Sequence, residues 1–174
     1  MSGAAVIYKS KYGYTERYAR WIAQELGAQL FEASQIKPAQ LASYDVVVYG
    51  GGLYAGSING VSLVTKNPCK SLVVFTVGLA DPAITDFSET LKRTFPGEAL
   101  SKVKVFHLRG GIDFQKLGLA HKGMMAIFRK ATAKKDKTKL SGEEKAMLET
   151  DGKNVDFTDR DAIAPLVAYV KENM

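Results

Sequence analysis

The sequence predicts a three-layer, doubly wound α/β domain: a five-stranded parallel sheet between helices, with a basic helical insertion after the last strand. Three observations predict it. Four short runs rich in Val, Ile, Tyr and Phe are almost continuously apolar rather than alternating, the pattern of strands covered on both faces. Helix-sized spacers separate the runs, so strand and helix alternate about five times. The densest glycines follow strands directly, at the edge where open α/β sheets bind ligands.

The first strand is expected at Ala4 to Tyr8. A helix follows from Thr15 to Leu26, with Tyr18, Ala19, Ile22, Ala23 and Leu26 on one stripe and Gly27 placed to end it. A weaker strand is expected at Gln29 to Ala33 and a short helix or turn at Pro38 to Ala42. The next strands are Asp45 to Tyr49, Leu72 to Val77 and Val103 to Leu108. Ile84 to Thr94 reads as a helix between Pro82 and Pro96, and Asp81 is expected to cap it. Asp159 to Glu172 reads as the last helix, bent or delayed by Pro165. Gly110 to Asp156 is too long for a simple connection and is read as an insertion with its own helix. No linker or repeat divides the chain, so residues 1–174 form one domain.

Composition narrows the function classes. Of 174 residues, 46% are hydrophobic and 24% charged, as in an ordinary globular protein. Cys69 is the single cysteine, so no intrachain disulfide or cysteine cluster is available. No apolar run reaches the roughly 20 residues a membrane span requires, and Met1 to Lys9 lacks a secretion signal. A cytoplasmic location is the expectation. The net charge of +6 is uneven: residues 104–139 hold ten Lys or Arg against two acids, and the remainder is mildly acidic.

Tyr8-Lys9-Ser10-Lys11-Tyr12-Gly13-Tyr14-Thr15 links a strand to a helix. The free N–H groups of a helix's first turn, with the helix dipole, attract an anion. Ser10 and Thr15 add hydroxyls, so the loop suits a phosphate; the plainer alternative makes Thr15 an ordinary N-cap. No G-x-x-x-x-G-K-[ST] is present, and no G-x-G-x-x-G follows the first strand. No acidic pair ends that strand, which disfavours a receiver domain. A hydroxyl-rich cradle of this kind suits a terminal monoester.

Ser10-x-x-Gly13-x-Thr15 after an N-terminal strand resembles the phosphate loop of flavodoxins, in the branch that includes flavodoxin-type protoporphyrinogen oxidases. The Tyr12-Gly13 pair is also similar to flavodoxin-like quinone reductases, whereas typical flavodoxins carry Thr or Ser at position 12. The resemblance covers most of residues 4–113 and the last helix. It implies FMN as cofactor and a first binding loop of Ser10, Lys11, Tyr12, Gly13, Tyr14 and Thr15. It implies that Gly52, Leu53, Tyr54, Ala55 and Gly56 flank the ring, with Leu53 and Tyr54 nearest. Val77, Gly78 and Leu79 would offer N–H groups to the pyrimidine edge, with Gly110 and Gly111 at the same sheet edge. Arg109 is expected as a solvated charge and His107 as a core histidine.

The implied activity is electron transfer, with a redox protein or a small-molecule donor or acceptor as partner, or flavin-dependent oxidoreduction of protoporphyrinogen-oxidase or quinone-reductase type. The flavin would carry the chemistry, so no protein nucleophile and no metal are expected. Carriers are usually strongly acidic and this chain is not, which tilts the reading toward an enzyme. The alternative is a non-catalytic binding or regulatory module that has lost the cofactor.

In the insertion, Leu117, Ala120, Met124, Ile127, Phe128 and Ala131 fall on one helical face. This stripe is expected to pack on the domain with the lysines solvated. The other outcomes are peripheral contact of residues 116–139 with an anionic membrane, or docking of a partner. Nucleic acid is disfavoured, because few aromatics interleave the charges.

Overall fold

The computed structural model describes residues 3–174. Strand β1 (Ala4–Lys9) leads into helix α1 (Tyr14–Leu26) and strand β2 (Gln29–Glu32). Next come β3 (Val46–Tyr54), β4 (Ser57–Ile58), α2 (Ser62–Thr65), β5 (Leu72–Gly78), α3 (Ser88–Thr94) and β6 (Val103–Arg109). The insertion holds β7 (Gly111–Asp113), α4 (Leu119–Ala133), α5 (Gly142–Thr150) and β8 (Asn154–Asp156), and α6 (Ala164–Glu172) closes the chain.

Five strands form the parallel sheet in the order β2-β1-β3-β5-β6. Because side chains alternate along a strand, β1 sends Val6 and Tyr8 to one face and Ala5 and Ile7 to the other. The first face packs against Tyr18 and Ile22 of α1 and Leu166 and Val170 of α6. The second packs against Leu41, Tyr44, Val64 and Phe95, supplied by a short 3-10 segment, α2 and the end of α3. Each fully buried Leu, Ile or Val contributes roughly 1.5–3 kcal/mol, so both faces need their cover. The order reverses between β1 and β3, which sets the loops leaving these strands side by side over one crevice.

Several boundaries differ from the sequence expectation. Asp45 to Tyr49 extends as β3 through Gly50, Gly51 and Gly52 to Tyr54, so these glycines lie in a strand rather than a loop. A Cβ at Gly50 would sit 2.0 Å from Phe75 Cζ, since Phe75 pairs with Gly50 across the sheet and fills the space. The helix expected at Ile84 begins only at Ser88. Asp81 Oδ1 accepts the Ala83 N–H 2.9 Å away and closes a turn instead of capping a helix. Pro165 sits in the first turn of α6 and delays its start to Ala164. The insertion carries two helices, and the antiparallel pairing of β7 with β8 ties its ends together.

The packing of α4 reverses the expectation. Met125 and Thr132 are buried, and with His121 and Phe128 they form the inward line. Of the apolar stripe, Leu117 is buried just before the helix, but Ala120, Met124, Ile127 and Ala131 face solvent, as does Leu119. Leu119, Ile127 and Met124 are 89%, 71% and 51% exposed. The more continuous apolar line is therefore the outer one.

Candidate functional site

The loop after β1 joins the carboxyl end of that strand to the N-terminus of α1. Gly13, at φ 95°, is the N-cap of α1, and a Cβ there would meet nothing within 4 Å. Thr15 is thus inside the helix, not its cap. It is 4% exposed, and its hydroxyl has no hydrogen-bond partner among the described residues. The N–H groups of Tyr14, Thr15 and Glu16 precede any intrahelical acceptor, and no other acceptor meets them among the described residues. Ser10 Oγ accepts the Gly13 N–H at 3.0 Å, which shapes the loop and leaves its own O–H to donate. These are donors without a protein acceptor at the positive end of α1, and they fit a phosphate dianion.

Beside this end stands a cluster of rings. Tyr54, at the tip of β3, lies close over its own strand: a Cβ on Gly52 would stand 2.9 Å from Tyr54 Cε2. His121, from the first turn of α4, stacks on Tyr54 with centroids 5.6 Å apart and planes 30° apart. Its Nδ1 shares a hydrogen bond with the Tyr12 hydroxyl. Lys11 Nζ lies 3.3 Å from Nε2. An ammonium only donates, so Nε2 accepts, and the imidazole proton resides on Nδ1 toward Tyr12. Burial and the Lys11 charge both push the His121 pKa down, favouring that neutral form. Burial with Tyr12 nearby raises the Tyr54 pKa to about 12, so its phenol stays protonated. His121 was missed in the sequence because a lone histidine in an insertion carries no positional signal.

The apolar walls come from the end of β3 at Leu53 and from Gly78 and Leu79 at the end of β5, the second and third of the expected binding segments (loops two and three). Leu53 packs against Gly78, where a Cβ would be 3.4 Å from Leu53 Cβ. Leu79 joins Ala80, Phe87 and Ala146 on one side and Ile112, Leu117 and Met125 on the other. Tyr12 packs into the second of these groups, so the insertion closes over the crevice. Ala55 and Gly56, at φ 49° and 70°, make the two-residue turn between β3 and β4. Gly56 O accepts from Arg93, which fixes that turn to α3.

Other residues of the sequence expectation serve packing. Val77 is buried in the main core. Gly110 donates to Gly78 O at 2.7 Å and accepts from Phe157 N at 2.9 Å. A Cβ on Gly111 would collide with Val155 O at 2.4 Å and with the ring of Tyr14. Gly110 and Gly111 therefore join β6, β7 and β8 and face protein. Tyr14 covers Gly111 and lies under the Arg17 guanidinium. Arg109 is not a solvated charge: its Nε donates to Leu79 O at 2.9 Å, and its guanidinium stands 3.7 Å from the centre of the Phe157 ring. His107 is a satisfied core histidine, bonded to Thr76 Oγ1 at 2.6 Å and stacked on Phe87.

A family model described as a flavodoxin domain matches residues 5–139. The chain belongs to this family. Among curated proteins, the flavodoxin domain described here is 28% identical over 81 residues to an uncharacterized protein of Methanocaldococcus jannaschii. That match covers 43% of this chain and 54% of the relative, so the chain spans about half the length of the curated relative it matches. Among solved structures it is similar to a WrbA-like flavodoxin of Agrobacterium tumefaciens, with TM-score 0.48, 14% identity and 100% coverage of both chains. It is also similar to a flavodoxin from the domain Archaea, with TM-score 0.44, 18% identity and coverage of 63% of this chain and 83% of the other. The sheet order β2-β1-β3-β5-β6 is that of the flavodoxin-like fold. Among the described residues, no helix of this domain is long and apolar enough to cross a membrane.

Proposed function

We propose that this flavodoxin domain binds FMN across the carboxyl edge of its sheet and uses it in electron transfer. The observation that carries the reading is the loop at Ser10–Thr15. Its first-turn N–H groups and the Thr15 hydroxyl have no protein acceptor among the described residues, and a Cβ on the neighbouring Gly13 would meet nothing within 4 Å. Flavin supplies reversible one- and two-electron chemistry when bound. The protein's part is to orient it: loop one takes the phosphate, while Leu53, Tyr54 and Leu79 offer apolar and aromatic surface to the ring. Tyr54 remains a neutral donor across the physiological range, and Arg109, tied to Leu79 O, holds loop three in place.

The test is a titration of FMN and riboflavin, read by flavin fluorescence. FMN is expected to bind and riboflavin, which lacks the phosphate, to bind far more weakly. Ser10→Ala combined with Thr15→Ala removes two hydroxyl bonds to a dianion, a loss of about 3 kcal/mol or roughly 100-fold in Kd. If neither flavin binds, the chain is the non-catalytic module that has lost its cofactor. For the loaded protein, reoxidation or bleaching by a quinone, a porphyrinogen or NAD(P)H separates an oxidoreductase of the protoporphyrinogen-oxidase or quinone-reductase type from a carrier. A carrier exchanges electrons only with a redox partner protein.

The outward face of α4 favours a second reading, contact of residues 116–139 with an anionic lipid surface. Leu119, Met124 and Ile127 are exposed on a helix without a single acid, flanked by Lys116, Lys122, Lys130 and Lys134. Such a face suits burial at the headgroup boundary beside negative charge. Co-sedimentation with phosphatidylglycerol vesicles, and not with phosphatidylcholine vesicles, is the expected result, abolished by Leu119→Glu with Ile127→Glu. Equal sedimentation with both vesicle types, or with neither, rejects it.

A further inference from the structure

The residues assigned above to FMN are already engaged by one side chain of the insertion. Tyr12 and Lys11 come from the loop after β1 and Tyr54 from the end of β3, and all three contact the imidazole of His121. The Tyr54 ring lies close to Gly52 and stacks on His121. A flat ligand that stacks on Tyr54 needs the surface the imidazole covers, because aromatic partners occupy that surface one at a time. Lys11, a cation within the loop after β1, is likewise engaged by His121.

The helix that carries His121 is built to release it. Gly118 caps α4 without a side-chain hydrogen bond, and Gly118, Leu119 and Ala120 are all exposed. Gly123 follows in the next turn, where a Cβ would meet nothing within 4 Å. Glycine weakens a helix interior, and two of them bracket the turn that bears His121. The buried residues of α4 itself, Met125 and Thr132, lie beyond that turn, and Leu117 is anchored just before it, so the turn is pinned at its two ends and not along its length. The first turn can therefore unwind while the rest of α4 stays docked.

Resting on the FMN reading of the site, we propose that His121 is a latch. It covers the Tyr54 surface assigned to the ring, and the first turn of α4 must swing out before FMN seats. Release frees Tyr54 for the ring and Lys11 for the phosphate. The latch scales the apparent affinity down by the fraction of molecules that are open, so removing it tightens binding without adding a contact.

The experiment compares FMN binding to the full chain and to His121→Ala and Tyr12→Phe variants, with tryptic cleavage of α4 followed in parallel. His121→Ala is expected to bind FMN about tenfold tighter and faster, from the loss of the two hydrogen bonds to Tyr12 and Lys11 and the ring contact with Tyr54. Tyr12→Phe keeps the ring, loses only the hydroxyl that holds His121, and moves in the same direction by a smaller factor. Saturating the unmutated protein with FMN is expected to speed cleavage at Lys122. If both variants bind FMN as well as or more weakly than the parent, or if FMN protects Lys122, the latch is rejected while the FMN site stands. If no form binds FMN, the site reading falls and the latch with it.

Discussion

Gly50 shows how one absent methyl group sets a strand. Phase and register put Phe75 of β5 directly across from it, and the ring fills the space a side chain would need. Gly50→Ala is therefore expected to destabilise the fold by about 1–3 kcal/mol through overpacking, measured by urea denaturation. His107 gives a pH prediction of definite sign. Burial lowers its pKa to about 4, while the unfolded chain titrates near the ordinary value of 6.5. The unfolded state thus binds more protons between these values, and stability present above about pH 6.5 is lost as pH falls toward 4. The shift sets a ceiling of about 3 kcal/mol, and a side chain partly open to solvent should show nearer 1–2. Thermal melts from pH 7.5 to 4.5 should record that fall. His107→Leu with Thr76→Val, which replaces both partners of the bond, should flatten it. The sequence marked His107 as a core residue because it sits in an apolar run. It gave no such mark for His121, whose meaning depends on how an insertion folds back over loops a hundred residues earlier.

At the scale of elements, strands were legible wherever the apolar run was continuous, because only burial on both faces tolerates that composition. The end of β3 was not, since three successive glycines normally signal a turn and here serve Phe75, Asn59 and Tyr54 in turn. The start of α3 was overextended because a helical pattern does not reveal that Asp81 and Asp86 each close a local turn. In α4 two lines compete for the inside. Periodicity counts apolar residues, whereas the domain buries the line that also contains His121 and Thr132. The consequence is measurable. Met125→Ala should cost about 2 kcal/mol or more in denaturant unfolding, whereas Ile127→Ala on the outer face should change stability by less than about 0.5 kcal/mol. Equal costs would place the helix the other way round.

At the scale of the molecule, the parallel sheet and the insertion are separable by construction. Asp113 pairs directly with Asn154, so residues 114–153 leave and return through adjacent positions of a two-stranded ribbon. Replacing them with Asn-Gly is expected to give a hairpin turn. The shortened chain should unfold cooperatively with the sheet signal retained in circular dichroism; loss of cooperative unfolding would show that the sheet depends on the insertion. The five-stranded parallel sheet could be foreseen from the alternation of strand and helix, but the closing of the insertion over the crevice could not, because it rests on Tyr12, Leu79 and Met125 meeting from distant segments. The most direct test of the whole is a crystal structure of the protein soaked with FMN. The phosphate should lie within hydrogen-bonding distance of the Thr15 hydroxyl and the N–H groups of Tyr14 to Glu16, with the ring against Tyr54. A phosphate bound elsewhere, or a loop from Ser10 to Thr15 left without ligand at saturating FMN, would contradict it.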